Sequence, residues 1–561
     1  MSRTLFRYIF WDLLKIFMMA SGVLSAIMSF GGLLKPLYEV GLSMSQVGQI
    51  LGYSGPAMTA YSLPIAALFA TTIVYGRLGA DNEITACRAA GISHLSLATP
   101  AFLLGAFTAF ISLGLLCFIV PASMLKVEKI IYSNLAQLAV GQIERTHQVK
   151  FDQPSGAVTI FAQSAKVLPV DPNRPRNQAL EVDGALFVHY LPPEKNKPLV
   201  PKAFFMARRA VAYLQQDNED DDVLLSVTFD KGTEFPREIG GGPGVQNMRV
   251  SIEQQQIGPF PLQSPVRENT KFMNIFSLKN LLLHPEHSRR IGEKMREYIR
   301  RDQAQEFLTD LKSKLNETDS PAVDLGNGSE VYRLTPSTQP AQIRNDRLII
   351  TGTDKDPVRL VQIKGTSNLL NATAKEIRIE AFPFTERRTL ELKVDMIDSK
   401  LKYSDGESTV ENRSRPINVD MPTSVVSLTT RPAEYYRHGV LPTKDQYDLE
   451  RNILKQNNSA RSEVHARMSF AVSCYILVMI GCALGMMFRS GNFLSAFAVS
   501  VIPALLCIAL VVTGQHTCEN VPAAIPTGWT DPYPLGVALI WSGNIAVFII
   551  AVALLGRLQR Q

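Results

Sequence analysis

The chain has 561 residues, with 57 lysines and arginines against 51 aspartates and glutamates and a net charge of +6. That modest excess, with no basic run interleaved with aromatics, argues against a nucleic-acid partner. The average of 46% hydrophobic and 19% charged residues conceals two apolar blocks, 1–140 and 467–561, around a polar middle of 141–466, which is the pattern of an integral membrane protein with a large aqueous domain. Cys87, Cys117, Cys474, Cys482, Cys507 and Cys518 all lie in or beside the apolar blocks, which excludes a disulfide framework for the middle.

In chain order, the first apolar run is 12–34, with Lys15 placed to snorkel. It is too long for a cleaved leader, and further spans follow. Crossing a bilayer takes about 20 apolar residues as a helix, and 51–75, 95–120, 468–488, 493–514 and 534–555 also qualify. Pro56 and Pro64 kink the second run. The positive charges near the spans are Arg3, Arg7, Arg77, Arg88, Arg489, Arg557 and Arg560. With six spans they fall on one side, which predicts cytoplasmic termini and an extracytoplasmic middle. Trp11, Trp529 and Trp541 sit near the proposed interfaces.

Between the second and third runs lies "YGRLGADNEITACRAAGIS", Tyr75 to Ser93. It predicts a helix over 81–90 with Asp81 as N-cap, Asn82 and Glu83 in the positive first turn, and Gly91 in the left-handed position after the last. A solvated linker is the simpler alternative. A short turn would have sufficed as a linker, however, and a capped charged helix suits docking into a partner's groove.

After the third run, 124–145 predicts a helix leaving the membrane. The strand signals that follow are "GAVTIFAQSAKVLP", "RRAVAYLQ", "DDVLLSVTFDKGTEF" with a turn at Asp230-Lys231-Gly232, "VRLVQIKG", "EIRIEAF" and "TLELKVDM". In the last, Leu390, Leu392, Val394 and Met396 alternate onto one face. Short strands with turn signals predict an antiparallel sandwich or barrel. One helix interrupts them from Pro285 to Leu315, with Ile291, Met295, Ile299, Leu308, Leu311 and Leu315 near helical spacing; it packs on the sheet, or else lies on the outer leaflet or a partner. Residues 444–466 predict a helix running straight into the fourth span.

No phosphate loop of the G-x-x-x-x-G-K-[ST] type occurs, so ATP hydrolysis is not expected of this chain. Gly240-Gly241-Gly242 predicts a flexible loop. His284 and His287 lack a third ligand, and no metal or other cofactor is expected. The near absence of ionisable residues within the spans argues against a proton-driven carrier. The membrane part therefore has no evident engine of its own.

"GRLGADNEITACRAAGIS" resembles the coupling-helix signature of the lipopolysaccharide-export permeases, the LptF/LptG (YjgP/YjgQ) family. "SARSEVHARMSF", with Glu463 and Arg467, is similar to the family's entry into its fourth span, and "LIWSGN" to a segment of its sixth; "GAVTIFAQSA" and "FDKGTEF" resemble strands of its periplasmic jellyroll. The Glu-Ile-Thr detail leans toward the F-type subunit.

The resemblance implies six membrane helices, three and three, around a mainly-β, jellyroll-like periplasmic domain: 1–123 with the coupling helix 81–90, 124–443 as the β domain with an insertion or second β unit at about 285–405, and 444–561 closing the chain. It also implies a bacterial inner-membrane permease subunit that partners with a second permease or with itself, and with a cytoplasmic ATPase dimer that does the hydrolysis. The subunit extracts lipopolysaccharide or a related glycolipid and passes it to periplasmic bridge proteins. Arg77, Asp81, Glu83, Arg88 and Gly91 would serve the ATPase contact, and Lys35 would face the lipid's phosphates or simply snorkel. The middle is longer than one jellyroll, which leaves open a permease for a different lipid or a membrane-anchored scaffold presenting its β domain.

Overall fold

The computed structural model describes the chain except residues 1–2, 41–43, 154–155, 170–176, 191–200, 216–222, 237–249, 262–268, 318–321, 327–330, 345, 365–366, 385–387, 404–407, 431–434, 436–442, 488–492, 523–529 and 561. The triglycine at 240–242, Arg489 and Trp529 lie outside the described residues. The chain divides into two compact units, residues 1–288 with 451–561, and residues 289–450.

The first unit carries the membrane helices. Among the described residues, six helices are long and apolar enough to cross a bilayer: Arg3–Val40, Met44–Ala80, His94–Gly114 with its continuation, Thr443–Met487, Phe493–Glu519 and Tyr533–Arg560. As expected, the polar run before the fourth span is continuous with it. Spans two and four are the centre, with 67% and 78% of their apolar windows buried, against 28% for spans one, five and six. Small residues permit that pairing: a Cβ on Gly485 would stand 2.9 Å from the Tyr75 Cβ and 3.0 Å from the Thr72 carbonyl. Span three passes through a π-helical turn, Leu115–Ile119, just before Pro121. Its continuation breaks at Ser133 and Asn134 and resumes as Leu135–Thr146. Gln178 bridges the break, donating to the Tyr132 carbonyl at 2.8 Å and accepting from the Ala136 amide at 2.9 Å.

Seven antiparallel strands follow: β1 (Gln148–Gln153), β2 (Gly156–Phe161), β3 (Ser164–Val167), β4 (Gln178–Tyr190), β5 (Pro201–Gln215), β6 (Leu224–Pro236) and β7 (Val250–Pro261). Their order is β1-β2-β4-β5-β6-β7, with β3 paired to β4. Ala136, Ala139 and Ile143 of the preceding helix share a core with Ile160, Leu180 and Leu225 of the sheet. The turn expected at Asp230-Lys231-Gly232 does not form. Strand β6 runs straight through, because β5 and β7 pair with it on both sides, Asp230 with Arg209 and Gln254, and Gly232 with Ala207 and Ile252.

The second unit has its own sheet of eight strands, β8 (Val323–Gly326), β9 (Val331–Thr335), β10 (Gln342–Arg344), β11 (Arg347–Thr351), β12 (Val358–Lys364), β13 (Ser367–Phe384), β14 (Thr389–Tyr403) and β15 (Ser408–Asp420). The long β13 takes β12 and β11 in succession on one edge and β14 on the other. Leu390, Leu392, Val394 and Met396 of β14 are all buried, as their alternation requires. The helix Arg289–Asn316 lays Phe307, Leu308, Leu311 and Leu315 on this sheet. It is thus a sheet-packing helix, and Tyr298 rather than Ile299 is the buried residue at that turn. The fold is a six-helix membrane core, three spans before and three after a β-rich middle with a curled sheet.

Candidate functional site

Between spans two and three the chain builds a rigid link. Span two runs to Ala80, and the Asp81 amide still donates to the Arg77 carbonyl at 2.9 Å. Asn82 then turns left-handed, with φ 57°, a conformation that short polar side chains tolerate. Its carbonyl accepts from the Ala86 amide at 3.0 Å, opening the helix Glu83–Ala89. The cap is therefore Asn82, not Asp81, and no side chain caps the helix. Asp81 is still part of the last turn of span two and so is one residue too early to cap.

The helix is shorter than the expected 81–90 and ends as foreseen, with Gly91 at φ +82° and its amide on the Arg88 carbonyl at 2.8 Å. Only the four residues Ala90 to Ser93 separate it from span three, whose first turn Ser93 caps by accepting from the Ser96 amide at 3.2 Å.

One side of this link is anchored. Ile84 is buried in the membrane-helix core with Tyr75, Leu78 and Leu97, and Cys87 and Ile92 pack against it. Burying one such side chain is worth about 1.5–3 kcal/mol. The Tyr75 hydroxyl donates to the Leu97 carbonyl at 2.8 Å, joining span two to span three behind the link. Arg77 forms an ion pair with Asp12 of span one, so its charge is engaged within the chain. The opposite side shows Asp81, Asn82, Thr85, Ala86 and Ala89 to the outside, with Glu83 and Arg88 half-buried at its edges. Lys35 lies on the backbone of the first helix, and its side chain is outside the described residues.

A second constellation stitches span four to its neighbours. Arg467 Nε donates to Glu463 Oε1 at 2.8 Å, with side-chain exposures of 2% and 8%. Arg467 Nη2 donates to the Thr270 and Lys271 carbonyls, both at 3.1 Å. Gln515 of span five donates to the second Glu463 oxygen at 2.7 Å. A turn earlier, Ser459 donates to Glu519 at 2.7 Å and Asn458 to Asp531 at 2.8 Å. A turn later, Asn544 of span six donates to the Ser469 carbonyl at 2.7 Å and Ser469 Oγ donates to the Ile540 carbonyl at 2.9 Å. Trp541 Nε1 reaches His465 Nδ1 at 3.4 Å. Such a pair depends on partners for its remaining hydrogen-bonding groups; both Glu463 oxygens and two Arg467 nitrogens have them, while Arg467 Nη1 is buried without one.

Sequence reasoning missed Asp12, Tyr75 and Ile84 as anchors, and Gln515, Thr270, Ser459 and Asn458 in the network. Asp12 at the edge of an apolar run was the one available signal. The His284 and His287 rings lie 5.1 Å apart between centroids, tilted by 33°, with Glu286 on His284 at 3.2 Å. No three metal-ligating side chains converge among the described residues.

The arrangement is mechanical: rigid links and buried clasps between spans, arranged three and three around a β-rich middle. That combination is the architecture of a multi-pass membrane protein. The family model described as "Lipopolysaccharide export system permease LptF/LptG" matches residues 7–166 and 364–557. This is more than half of the chain, and the chain belongs to that family, a permease component of a transporter and not itself an enzyme. The unmatched stretch, 167–363, holds β4 to β11 and both helices between the sheets. No curated protein matches the chain.

Proposed function

We propose that this chain is one permease subunit of an ATP-driven lipopolysaccharide exporter in a bacterial inner membrane, with cytoplasmic termini and a periplasmic β-rich middle. It pairs with a second six-span permease or with a second copy of itself. A separate ATPase dimer docks on the link between spans two and three. Glu83 and Asp81 meet basic groups there, and Arg88 supports them. Lys35 faces the phosphates of the lipid, and the β-rich middle passes the cargo to a periplasmic bridge protein.

The observation carrying this reading is the link itself: a short helix anchored by Ile84 and joined to both flanking spans by Tyr75 and Leu97. A linker without a mechanical task needs no such anchorage. The test is co-purification from membranes. Wild-type chain is expected to bring an ATPase and a second permease, and Glu83→Lys to lose the ATPase with an unchanged melting curve. Retention of the ATPase by Glu83→Lys, or accessibility labelling that places residue 83 on the same side as the sheet, sinks the proposal.

A further inference from the structure

The helix Ile275–Leu283 precedes the second unit and has two apolar faces. Leu278 and Leu281 are buried with Ala460 of span four. The opposite stripe, Phe276, Lys279 and Leu283, follows i, i+3, i+7 spacing, with Phe276 71% and Leu283 66% exposed. The helix is held firmly. Asn274 caps it by accepting from the Ser277 amide at 2.7 Å, Phe272 packs with Met124, Val127 and Phe470, and Arg467 grips the two carbonyls just before. A fixed helix that shows Phe and Leu outward around one lysine has the pattern of an element lying in a bilayer interface, with the lysine stem snorkelling to the headgroups.

Facing it is the π-turn of span three, where Phe118 and Ile119 are about half exposed. The Phe118 and Phe276 rings stand 6.3 Å apart at the mouth of a cleft of about 430 Å³, within the range of about 300–1,000 Å³ usual for ligand sites. Its walls include Pro121, Leu125, Phe272 and Leu281, and its polar residues are few, among them Ser277 and Asn280. Toward the bilayer it continues the surface of span three that exposes Phe107 and Phe110. Neither segment 115–127 nor 270–283 has an acidic residue, and Lys271 and Lys279 are exposed beside the cleft rather than on its wall; Lys126 lies over the Tyr53 ring at 5.3 Å, and His287, next to Glu286, also lines the cleft.

We propose that this cleft holds an acyl chain of a resident glycerophospholipid, in the leaflet on the side of the first sheet, with the phosphate near Lys271 and Lys279. The apolar walls and their continuity with the lipid-facing span select the chain; Lys271 and Lys279, exposed beside the cleft, stand where an anionic phosphate would lie. The inference rests on the spans lying in a membrane and not on the transport reading.

The experiment reconstitutes the full chain in nanodiscs containing phosphatidylethanolamine with a photoreactive acyl chain, and maps the labelled peptides by mass spectrometry. Label is expected on 115–125 and 270–283 as well as on the Phe107–Phe110 peptide. Ala122→Trp, which fills the cleft from an exposed position on its wall, is expected to cut label on 270–283 at least fivefold while span three stays labelled. Ser277→Trp does the same from the rim if Ala122→Trp fails to fold. Label on span three without label on the cleft segments overturns the proposal and leaves the membrane placement standing. No label on either overturns both. Loss of the cleft label to added lipopolysaccharide assigns the cleft to the cargo and overturns the resident-lipid proposal.

Discussion

The Tyr75 hydroxyl donates to the Leu97 carbonyl at 2.8 Å, so the end of span two and the start of span three are fastened directly behind the helix that joins them. A typical hydrogen bond contributes about 0.5–1.5 kcal/mol net. Tyr75→Phe keeps the ring and removes this bond together with the hydroxyl's contact to Cys482 of span four. It is expected to destabilise the chain by about that amount in thermal unfolding in detergent, with ATPase co-purification retained. Transport per ATP hydrolysed is expected to fall, because the link is then free to move without carrying both spans.

Anchorage and docking are separable. Ile84→Ala empties a buried site and is expected to cost about 2–5 kcal/mol, read as a lower melting temperature. Glu83→Lys changes a half-buried side chain at the edge of the outward face and is expected to leave melting unchanged. A matching loss of stability in the two variants would show that Glu83 is an anchor.

The clasp on span four gives a sign test. Arg467→Met leaves Glu463 buried without its partner and is expected to cost about 3–5 kcal/mol. Combining it with Glu463→Gln is expected to restore much of that loss, since Gln515 then bonds a neutral amide. A double-mutant cycle on melting temperature measures the coupling.

Glycine spacing sets the approach of spans two and four. Gly485→Ala places a Cβ 3.1 Å from the Gly76 amide, where backbone cannot yield, and is expected to cost about 1–3 kcal/mol. Gly141→Ala, with nothing within 4 Å, is expected to gain about 0.5–1 kcal/mol from helix propensity. Parallel melting curves check both.

In the second unit Arg333 donates to both Asp324 oxygens at 2.8 and 2.9 Å. These bonds, reinforced by the guanidinium charge, hold the Asp324 carboxyl below its usual range. A depressed folded-state value means the contribution is full above the unfolded value of about 3.9 and is lost as pH falls through the folded one. Asp324→Asn is expected to flatten the acid limb of a stability-versus-pH curve below about pH 4, by a small amount because the pair is exposed.

The six spans were legible because a 20-residue apolar run has few other uses, and β14 because Leu390 to Met396 alternate without a break. The link was legible as a helix from Glu83 and Gly91, while its cap was misplaced: span two absorbs Asp81, and local capping rules do not show where the preceding helix stops. Glu463 and Arg467 could be paired by their i, i+4 spacing. Their partners Gln515 and Thr270 could not, since contacts across 52 and 197 residues leave no periodic trace. The straight path of β6 through Gly232 was hidden for the same reason: it depends on pairing with two neighbours, β5 and β7.

Asn82 belongs to two helices at once, closing one and opening the next. A load applied to residues 83–89 therefore meets no slack. It would pass to the end of span two through Asn82 and to the start of span three through Ala90 to Ser93, so the connection can act as a lever between two left-handed bends, Asn82 and Gly91.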